Sequence, residues 1–180
     1  MSKHEELVVH GLPEAGVKEP QRVTPAGESV APRIDGVSFR PAVAHVDERG
    51  SLIEVYSEGW RFTEEPVVHV YQVTIRPGQI RGPWVVHLYQ HDRLFFSNGT
   101  AKVALWDGRE GSPTEGLVDV RFLGVDQPGL LVIPPGVWHA IRNIGEADLS
   151  FVNLPTQPYD YADPDKHRLP VDNDVIPYRP

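Results

Sequence analysis

Short runs of hydrophobic residues, rich in β-branched and aromatic side chains, fill the chain from Val37 to about residue 153. Turn residues such as glycine, proline and asparagine separate these runs. Runs of this length between turn signals are typical of β-strands. The pattern predicts strands at residues 51–56, 67–75, 84–90, 93–97, 101–106, 117–122, 130–133, 138–142 and 149–153. Many short strands at hairpin spacing favour an all-β sandwich or barrel.

The dipeptide Asn98-Gly99 is the strongest turn signal between two of these runs. Both residue types tolerate positive φ, so the pair predicts a tight hairpin between the strands at 93–97 and 101–106. The 18 prolines and 16 glycines are spread along the whole chain, which disfavours long helices.

The chain changes character near residue 34. Residues 1–34 contain several prolines and few aromatic residues, and they show no sustained period of 2 or 3.6. We therefore expect residues 1–34 to form a flexible or surface-wrapping arm. Residues 35–180 are predicted to form one β-barrel domain. The proline- and aspartate-rich tail from Tyr159 is expected to pack over that barrel as extended chain.

Composition narrows the classes of function. The 180 residues suit one domain, since domains typically hold about 100 to 200 residues. A formal charge of −8 argues against a nucleic-acid partner, which needs a clustered basic face. The absence of cysteine excludes disulfides, thiolate metal sites and cysteine nucleophiles. Apolar runs too short for a membrane span, and a start unlike a signal peptide, lead us to expect a cytoplasmic protein without a membrane partner.

Residues 129–143 combine a glycine, a Pro-x-Gly turn and a histidine three residues after that turn. This segment resembles the second sequence motif of the cupin superfamily, whose small jelly-roll β-barrels often hold a metal or a small substrate. His87 and His91 lie four residues apart, on one face of a strand. With His139 they form a candidate site for one divalent transition metal, because neutral imidazoles suit such ions. The alternative is that these histidines are hydrogen-bonded barrel or loop residues and no metal binds.

Four segments occur in order along the chain: HVDERGSLIE at 45–54, GQIRG at 78–82, DGREGSPT at 107–114 and IPPGVWH at 133–139. In this combination they resemble the dTDP-4-dehydrorhamnose 3,5-epimerase family. Members of that family are dimeric cupins that act on nucleotide-linked 4-keto-6-deoxy sugars. The resemblance implies a homodimer and a sugar or sugar-nucleotide ligand, with no cofactor.

The resemblance also implies binding roles for matched residues. Arg49 and Glu54 correspond to residues that hold the nucleotide, often across the dimer interface. Gln72, Arg81 and Arg93 fall near positions that line the sugar-diphosphate cavity, and Arg93 replaces a family lysine. A guanidinium can bind diphosphate oxygens in bidentate fashion, so an arginine there would keep the charge.

The catalytic positions of the family are not matched. The family base, a histidine two residues after the Arg-Gly pair, corresponds to Trp84, and an indole accepts no proton at useful pH. The family acid, a tyrosine, corresponds to Val152 or Asn153. The aspartate that orients the base corresponds to Asp172 or Asp174.

His87 is the natural replacement for the missing base. A bulge after Pro83 would turn it into the cavity, with Asp172 or Asp174 behind it and Tyr89 or Tyr159 as the acid. The alternative is that Trp84 fills part of the cavity beside His139, so that the barrel binds a different ligand by stacking against a ring.

Three functions remain open from the sequence. The first is a sugar-nucleotide epimerase or isomerase with a replaced base and acid. The second is a metal-dependent cupin oxygenase or isomerase. The third is a carbohydrate-binding cupin without catalysis. The fold alone cannot choose between them, because cupins carry many unrelated functions.

Overall fold

A computed structural model describes residues 17–27, 29–61 and 63–180 of the chain. The chain divides into two units, Met1–Pro32 and Arg33–Pro180. In the first unit the described residues contain an isolated β-bridge between Val23 and Ser29. Residues 1–16 and 28 of the predicted arm lie outside the described residues, so the flexible character of the arm stays a prediction.

The second unit contains two five-stranded antiparallel sheets and a separate hairpin. The first sheet consists of β1 (Ser38–Pro41), β4 (Tyr71–Ile75), β6 (Asp92–Phe96), β9 (Gly129–Ile133) and β11 (Leu149–Asn153). The second consists of β5 (Ile80–Val86), β7 (Thr100–Asp107), β8 (Val118–Gly124), β10 (Val137–Asn143) and β12 (His167–Leu169). The hairpin consists of β2 (Ala44–Asp47) and β3 (Gly50–Ile53).

The strand orders are β1-β9-β6-β11-β4 and β12-β5-β10-β7-β8. A 3-10 helix at Glu58–Trp60 follows the hairpin. Among the described residues, no helical segment combines the length and the hydrophobicity that a membrane span requires. The antiparallel sheets confirm the all-β prediction. The sequence pattern missed β1, β2 and β12, and it placed the start of β5 at residue 84 instead of Ile80.

The predicted hairpin at Asn98-Gly99 is wrong. Gly99 does turn with a φ of +62°, but β6 and β7 on either side of the turn belong to different sheets. A Cβ on Gly99 would lie 2.8 Å from Cα of Leu149, so the turn packs tightly against β11. Here a tight turn carries the chain from one sheet to the other, which local sequence cannot distinguish from a hairpin.

The two sheets pack face to face through an apolar core. Inward side chains of both sheets share this core, including Leu94, Phe96 and Leu131 of the first sheet and Val103, Leu105 and Ile141 of the second. A second apolar cluster lies on the other face of the second sheet, where the C-terminal residues Ile176 and Tyr178 cover Trp84. Because side chains alternate across a strand, a shift of one residue decides which face a side chain reaches.

Candidate active site

A bulge in β5 positions the cavity side of the second sheet. Arg81 pairs with Ile141 and Val85 pairs with His139, so three residues of β5 lie opposite a single residue of β10. Gly82 accommodates the bulge with a φ of +59°. The bulge leaves Arg81 and Val85 facing the interior, where both line a cavity. The strand ends at Val86, and the next residue, His87, also lines that cavity.

Asp92 lies between two histidines at the centre of the site. Its Oδ2 is 3.4 Å from Nε2 of His87 and 3.3 Å from Nε2 of His139. The two imidazole rings stack with centroids 5.8 Å apart. All three residues are buried. His87 Nδ1 hydrogen-bonds the main-chain oxygen of Asp165, so this ring presents Nε2 to the carboxylate.

The charges of this group depend on one another. Burial lowers the pKa of His87, but the hydrogen bond and charge of Asp92 outweigh burial, so the pKa is raised overall. Burial raises the pKa of Asp92, but hydrogen bonds to His139 and His87 outweigh it and hold the pKa well below its usual range. Asp92 is therefore a permanent anion at neutral pH. It stabilises His87 whenever that ring carries a proton.

The other carboxylate oxygen of Asp92 connects to a tyrosine. Gln90 Nε2 donates to Asp92 Oδ1 at 2.8 Å, and Asn153 Nδ2 donates to the same oxygen at 3.1 Å. Asn153 Nδ2 also donates to the hydroxyl oxygen of Tyr71 at 2.8 Å. Burial, and then the charge of Asp92, raise the pKa of Tyr71 to about 12. Tyr71 thus keeps its proton at neutral pH, and Asn153 leaves that proton free to be donated.

The C-terminal segment fixes the loop that carries His87. The Asp165 carboxylate accepts hydrogen bonds from the backbone N–H groups of Leu88 at 2.8 Å, Tyr89 at 2.9 Å and Gln90 at 3.2 Å. The Asp165 main-chain oxygen bonds the His87 ring. One residue therefore holds both the loop backbone and the imidazole.

Two cavities meet at this site. The outer cavity has a volume of about 680 Å³, which suits a drug-sized ligand. The inner chamber has a volume of about 90 Å³ and contains Asp92, His139 and Asn153. Only three of the described residues line both spaces: Tyr71, His87 and Lys166. A ligand in the outer cavity would meet these three side chains where the cavity narrows.

Several residues singled out by the sequence do come together here. His87, His139, Arg81 and Asn153 all line the inner chamber. Tyr89 and Tyr159 line the outer cavity, where Tyr159 packs edge-on against Tyr161 with ring centroids 4.9 Å apart. Tyr89 is 72% exposed and Tyr159 is 49% exposed, so neither lies in the buried group around Asp92.

The expectations for Trp84, Gln72 and Arg93 are wrong because these side chains point to the face of the sheet opposite the cavity. Trp84 is fully buried beneath Ile176 on the outer face of its sheet, so it neither fills the cavity nor stacks on a ligand there. Gln72 is exposed and does not line the cavity, whereas the preceding residue, Tyr71, does. Each position neighbours a residue that reaches the interior, as the period of two requires.

Arg93 also points away from the cavity. Its guanidinium donates to the main-chain oxygens of Leu154 at 2.6 Å, Pro66 at 2.9 Å and Glu65 at 3.0 Å. The side chain is fully buried and lies over the ring of Tyr56. Arg93 therefore holds loops together and has no part in binding a diphosphate in the cavity. The adjacent Asp92, on the opposite face of this strand, lines the inner chamber instead.

The predicted orienting aspartates are also wrong. Asp172 is exposed and pairs with Arg179 at 2.6 Å, and Asp174 is exposed as well. Neither lines the cavities around His87. The segment that carries them leads to the outer face of the second sheet, which Ile176 covers. Asp92 occupies the place that was expected for these residues.

Arg49 and Glu54 lie apart from the cavity of their own chain. Arg49 pairs with Asp47 in the turn of the β2–β3 hairpin, and Glu54 is exposed just after β3. The cavities that contain His87 include neither residue. Their assignment to a nucleotide site shared between two subunits stays a prediction.

The three-histidine metal site is wrong as predicted. His91 Nδ1 lies 3.8 Å from Glu65 Oε1, and His91 does not join the other two histidines. The donor atoms that lie within 4.8 Å of one another belong to His87, Asp92 and His139. Two imidazoles and one carboxylate are a donor set that a divalent transition metal accepts. The same geometry also suits an imidazolium held by a carboxylate, without a metal.

The residues that the sequence pattern missed are Tyr71, Asp92, Asp165 and Lys166. Asp92 was missed because the predicted strand began at residue 93. Extended by one residue, the strand would have shown Asp92, Leu94 and Phe96 on one face. A carboxylate on the apolar face of a strand is a strong signal, since buried charges require partners.

No family model matches the chain. The probable low-salt glycan biosynthesis epimerase Agl13 of Haloferax volcanii is 37% identical over 143 residues, which cover 78% of this chain and 90% of the relative. The spore coat polysaccharide biosynthesis protein SpsL of Bacillus subtilis is 38% identical over 146 residues, covering 79% and 93%. A dTDP sugar isomerase from Desulfovibrio desulfuricans G20 has a similar structure, with a TM-score of 0.73, 25% identity, and coverage of 81% and 90%.

The dTDP-4-dehydrorhamnose 3,5-epimerase of Sulfolobus tokodaii shares the fold at a TM-score of 0.65 and 21% identity, covering 79% of this chain and 80% of that one. The jelly-roll barrel with a polar group in its interior is thus that of a cupin. Among cupins, the chain belongs to the dTDP-4-dehydrorhamnose 3,5-epimerase-like family.

Proposed function

We propose that this protein is an epimerase or isomerase of a nucleotide-linked 4-keto-deoxysugar. Agl13 is named as an epimerase of glycan biosynthesis, and similar solved structures include a dTDP sugar isomerase. The observation that carries the proposal is the group His87–Asp92–His139 where the two cavities meet. It supplies a proton acceptor, an anion that stabilises the acceptor once it is protonated, and an enclosed space for a small substrate.

His87 acts as the general base in this proposal. Its Nδ1 is engaged by the main-chain oxygen of Asp165, so Nε2 of the neutral ring can take a proton from the carbon beside the ketone. Asp92 Oδ2 lies 3.4 Å from the same Nε2, so it stabilises the positive charge of the ring once the ring is protonated. Neither role requires a metal.

Tyr71 acts as the general acid. It belongs to the first sheet, whereas His87 follows β5 of the second sheet. An epimerase needs a base and an acid on opposite faces of the sugar carbon, and residues from two facing sheets meet that need. Asn153 stands where the sequence placed the family tyrosine, and Tyr71 pairs directly with it across β4 and β11. The hydroxyl group proposed as the acid therefore lies on β4, the strand next to the one that carries Asn153.

Exchange of a sugar proton with solvent tests the base and the acid separately. A dTDP-linked 4-keto-6-deoxyhexose is incubated in D2O, and deuterium at the carbon beside the ketone is followed by NMR. We expect His87→Gln to lower exchange and epimerisation by about 10²–10⁴-fold, the usual contribution of a general base. Tyr71→Phe should lower epimerisation far more than exchange, because the proton can still leave and return on one face.

His91→Gln is the matched control, since His91 lies outside the group around Asp92. It should keep wild-type rates. Exchange by His87→Gln at more than a tenth of the wild-type rate would show that His87 is not the base.

A metal-dependent isomerase is the second candidate, favoured by the donor atoms of His87, Asp92 and His139 within 4.8 Å. Such an ion would supply Lewis acidity to a bound oxygen. Elemental analysis of the purified protein decides between the candidates. Less than about a tenth of an equivalent of bound transition metal, with activity unchanged by a chelator, would support the proposal without a metal.

We also propose that the protein works as a homodimer in the cytoplasm. The β2–β3 hairpin forms a sheet of its own and exposes Val46 at 76% and Leu52 at 63%, which suits a subunit contact. Arg49 and Glu54 lie on or beside this hairpin, so a partner could bring them to the other cavity. Light scattering that gave one chain mass, 20.1 kDa, would contradict the dimer.

A further inference from the structure

Lys166 lies at the same place in the cavity as the proposed base and acid. Among the described residues it shares with Tyr71 and His87 the property of lining both the outer cavity and the inner chamber. It comes from the C-terminal segment, directly before β12, which pairs with β5. Asp165, the preceding residue, is anchored to the loop after His87 by three backbone hydrogen bonds. The lysine is therefore held next to the site by its neighbours on both sides.

The ammonium group of Lys166 has no hydrogen bond or ion pair within the part of the chain that the structure describes. Two other cations of the second unit have carboxylate partners within the fold, since Arg109 pairs with Asp107 and Arg121 pairs with Asp119. Burial, and then the positive charge of Arg168, lower the pKa of Lys166, the negative charge of Asp92 raises it and Arg81 lowers it again, so that the pKa is lowered overall. Because this ammonium group faces the cavity and is unpaired among the described residues, it is available to negative charge that a ligand brings.

The proposed reaction creates such a negative charge. When His87 takes the proton, the electron pair of the C–H bond forms a carbon–carbon double bond, and the carbonyl π pair moves onto oxygen as an enolate. When Tyr71 gives its proton to the opposite face, the pair returns to carbon and the ketone reforms. The tyrosinate is then reprotonated from solvent and His87 releases its proton. The enolate oxygen needs a donor or a cation throughout.

Arg93, which the sequence suggested as the cation of this cavity, is unable to serve. Its guanidinium is buried and bonded to main-chain oxygens on the other side of β6. The inner chamber and the outer cavity together contain two cations, Arg81 and Lys166, apart from the histidines. Of these, Lys166 alone borders both spaces, beside the base and the acid.

We propose that Lys166 is a catalytic residue whose ammonium group stabilises the enolate oxygen of the 4-keto sugar. This inference rests on the proposed function, because it assigns a role within that reaction. It places the base, the acid and the oxyanion cation on the three residues that the two cavities share. The cation reaches the site from the C-terminal segment instead of from a barrel strand.

The first test separates transition-state stabilisation from substrate binding. Lys166→Gln should lower kcat by about 10²–10³-fold, the usual loss of one oxyanion donor, while KM changes by less than about threefold. Lys166→Arg should recover part of kcat. The matched control is Lys102→Gln, since the Lys102 ammonium lies over the Tyr178 ring, 5.0 Å from its centroid, on the outer face. This control should leave both constants unchanged.

The lack of cysteine in the chain allows a second test. Lys166→Cys can be alkylated at that one thiol with 2-bromoethylamine, which restores an ammonium group, or with iodoacetamide, which adds a neutral amide. The aminoethyl form should be at least tenfold more active than the amide form. Equal activity of the two forms would overturn the proposal, as would a Lys166→Gln variant with raised KM and unchanged kcat.

Deuterium exchange distinguishes a failure of the role of Lys166 from a failure of the proposed epimerase function. Deuterium exchange by the wild-type protein, with Lys166→Gln equally active, would overturn the role of Lys166 and leave the epimerase proposal standing. An absence of exchange in the wild-type protein would overturn both.

Discussion

Asp92 and Asp107 are both buried carboxylates, but their partners differ in kind. Asp107 receives two hydrogen bonds from the guanidinium of Arg109, at 2.8 and 2.9 Å, and one each from the hydroxyls of Ser112 at 2.6 Å and Thr114 at 2.7 Å. Asp92 is held by two imidazoles and two amides. A guanidinium keeps its charge at every accessible pH, whereas an imidazole gains and loses a proton near neutrality.

This difference separates a structural site from a chemical one. The partners of Asp107 lie within seven positions in sequence, and together they fix a loop. Asp92 has two local partners, His87 and Gln90, but its other two come from distant strands, with His139 on β10 and Asn153 on β11. A carboxylate whose neighbours titrate can support proton transfer. One whose neighbours hold a fixed charge can only support the fold.

The largest expected effect comes from removing the charge at Asp92. Asp92→Asn should lower kcat by about 10²–10⁴-fold, because the protonated His87 loses its counter-ion. The free energy of unfolding at pH 8 should change by less than about 1 kcal/mol, since the uncharged amide leaves no buried carboxylate unpaired and its oxygen can still accept from Gln90 and Asn153. Steady-state kinetics and urea unfolding measure the two quantities. A loss of stability as large as that of the corresponding Asp107 variant would remove the distinction between the two sites.

Asp107→Asn should show the reverse pattern. Arg109 would lose its partner, and unfolding free energy should fall by about 2–3 kcal/mol, somewhat less than for a fully buried pair because Arg109 is partly exposed. At temperatures where the variant stays folded, kcat should remain within about twofold of wild type, because the loop at 107–114 lines neither cavity around His87. A large fall in kcat with unchanged stability would place Asp107 in the chemistry.

The dependence of stability on pH sharpens the comparison further. The pKa of His87 is raised in the folded protein, so its pairing with Asp92 contributes stability fully below about pH 6.5 and loses that contribution as pH rises through the raised value. The pKa of Asp107 is lowered, so its contribution is present above about pH 4 and is lost only in acid.

Urea unfolding at pH 5.5, 7 and 8.5 measures this prediction. The stability difference between wild type and Asp92→Asn should shrink as pH rises, whereas that between wild type and Asp107→Asn should stay constant. A constant difference for both variants would mean that His87 does not exchange a proton in this range.

The two carboxylates also mark how far sequence can predict this molecule. The loop at 107–114 is local, and it belongs to a segment that already indicated the family. The group around Asp92 depends on which face of each strand meets the cavity, and the sequence pattern misjudged that face at Gln72, Trp84 and Arg93. In each case the strand was found and a neighbouring residue faces the interior, because one position reverses the side of the sheet.

The bulge in β5 shows why the face could not be assigned from sequence. Ungapped counting from Gly82 placed Trp84 at the position of the family base. In the structure, three residues of β5 lie opposite one residue of β10. This bulge places Trp84 on the outer face of the sheet, and His87 becomes the histidine that lines the cavity. A bulge depends on the register of two strands distant in sequence, so local pattern carries little information about it.

The smallest predicted effect tests this assignment of faces. Gln72 lies opposite Val152 on the outer face of the first sheet, and it is exposed, whereas Tyr71 faces the cavity. Gln72→Ala should therefore change kcat and KM by less than about twofold and unfolding free energy by less than about 0.5 kcal/mol, as for other surface substitutions. Tyr71→Phe, one residue earlier, should lower epimerisation by about 10²-fold or more. Steady-state kinetics of the two variants, measured side by side, compare adjacent positions with similar backbone. If Gln72→Ala raised KM tenfold while Tyr71→Phe stayed active, β4 would have to present its other face to the substrate, and the acid would have to be sought elsewhere.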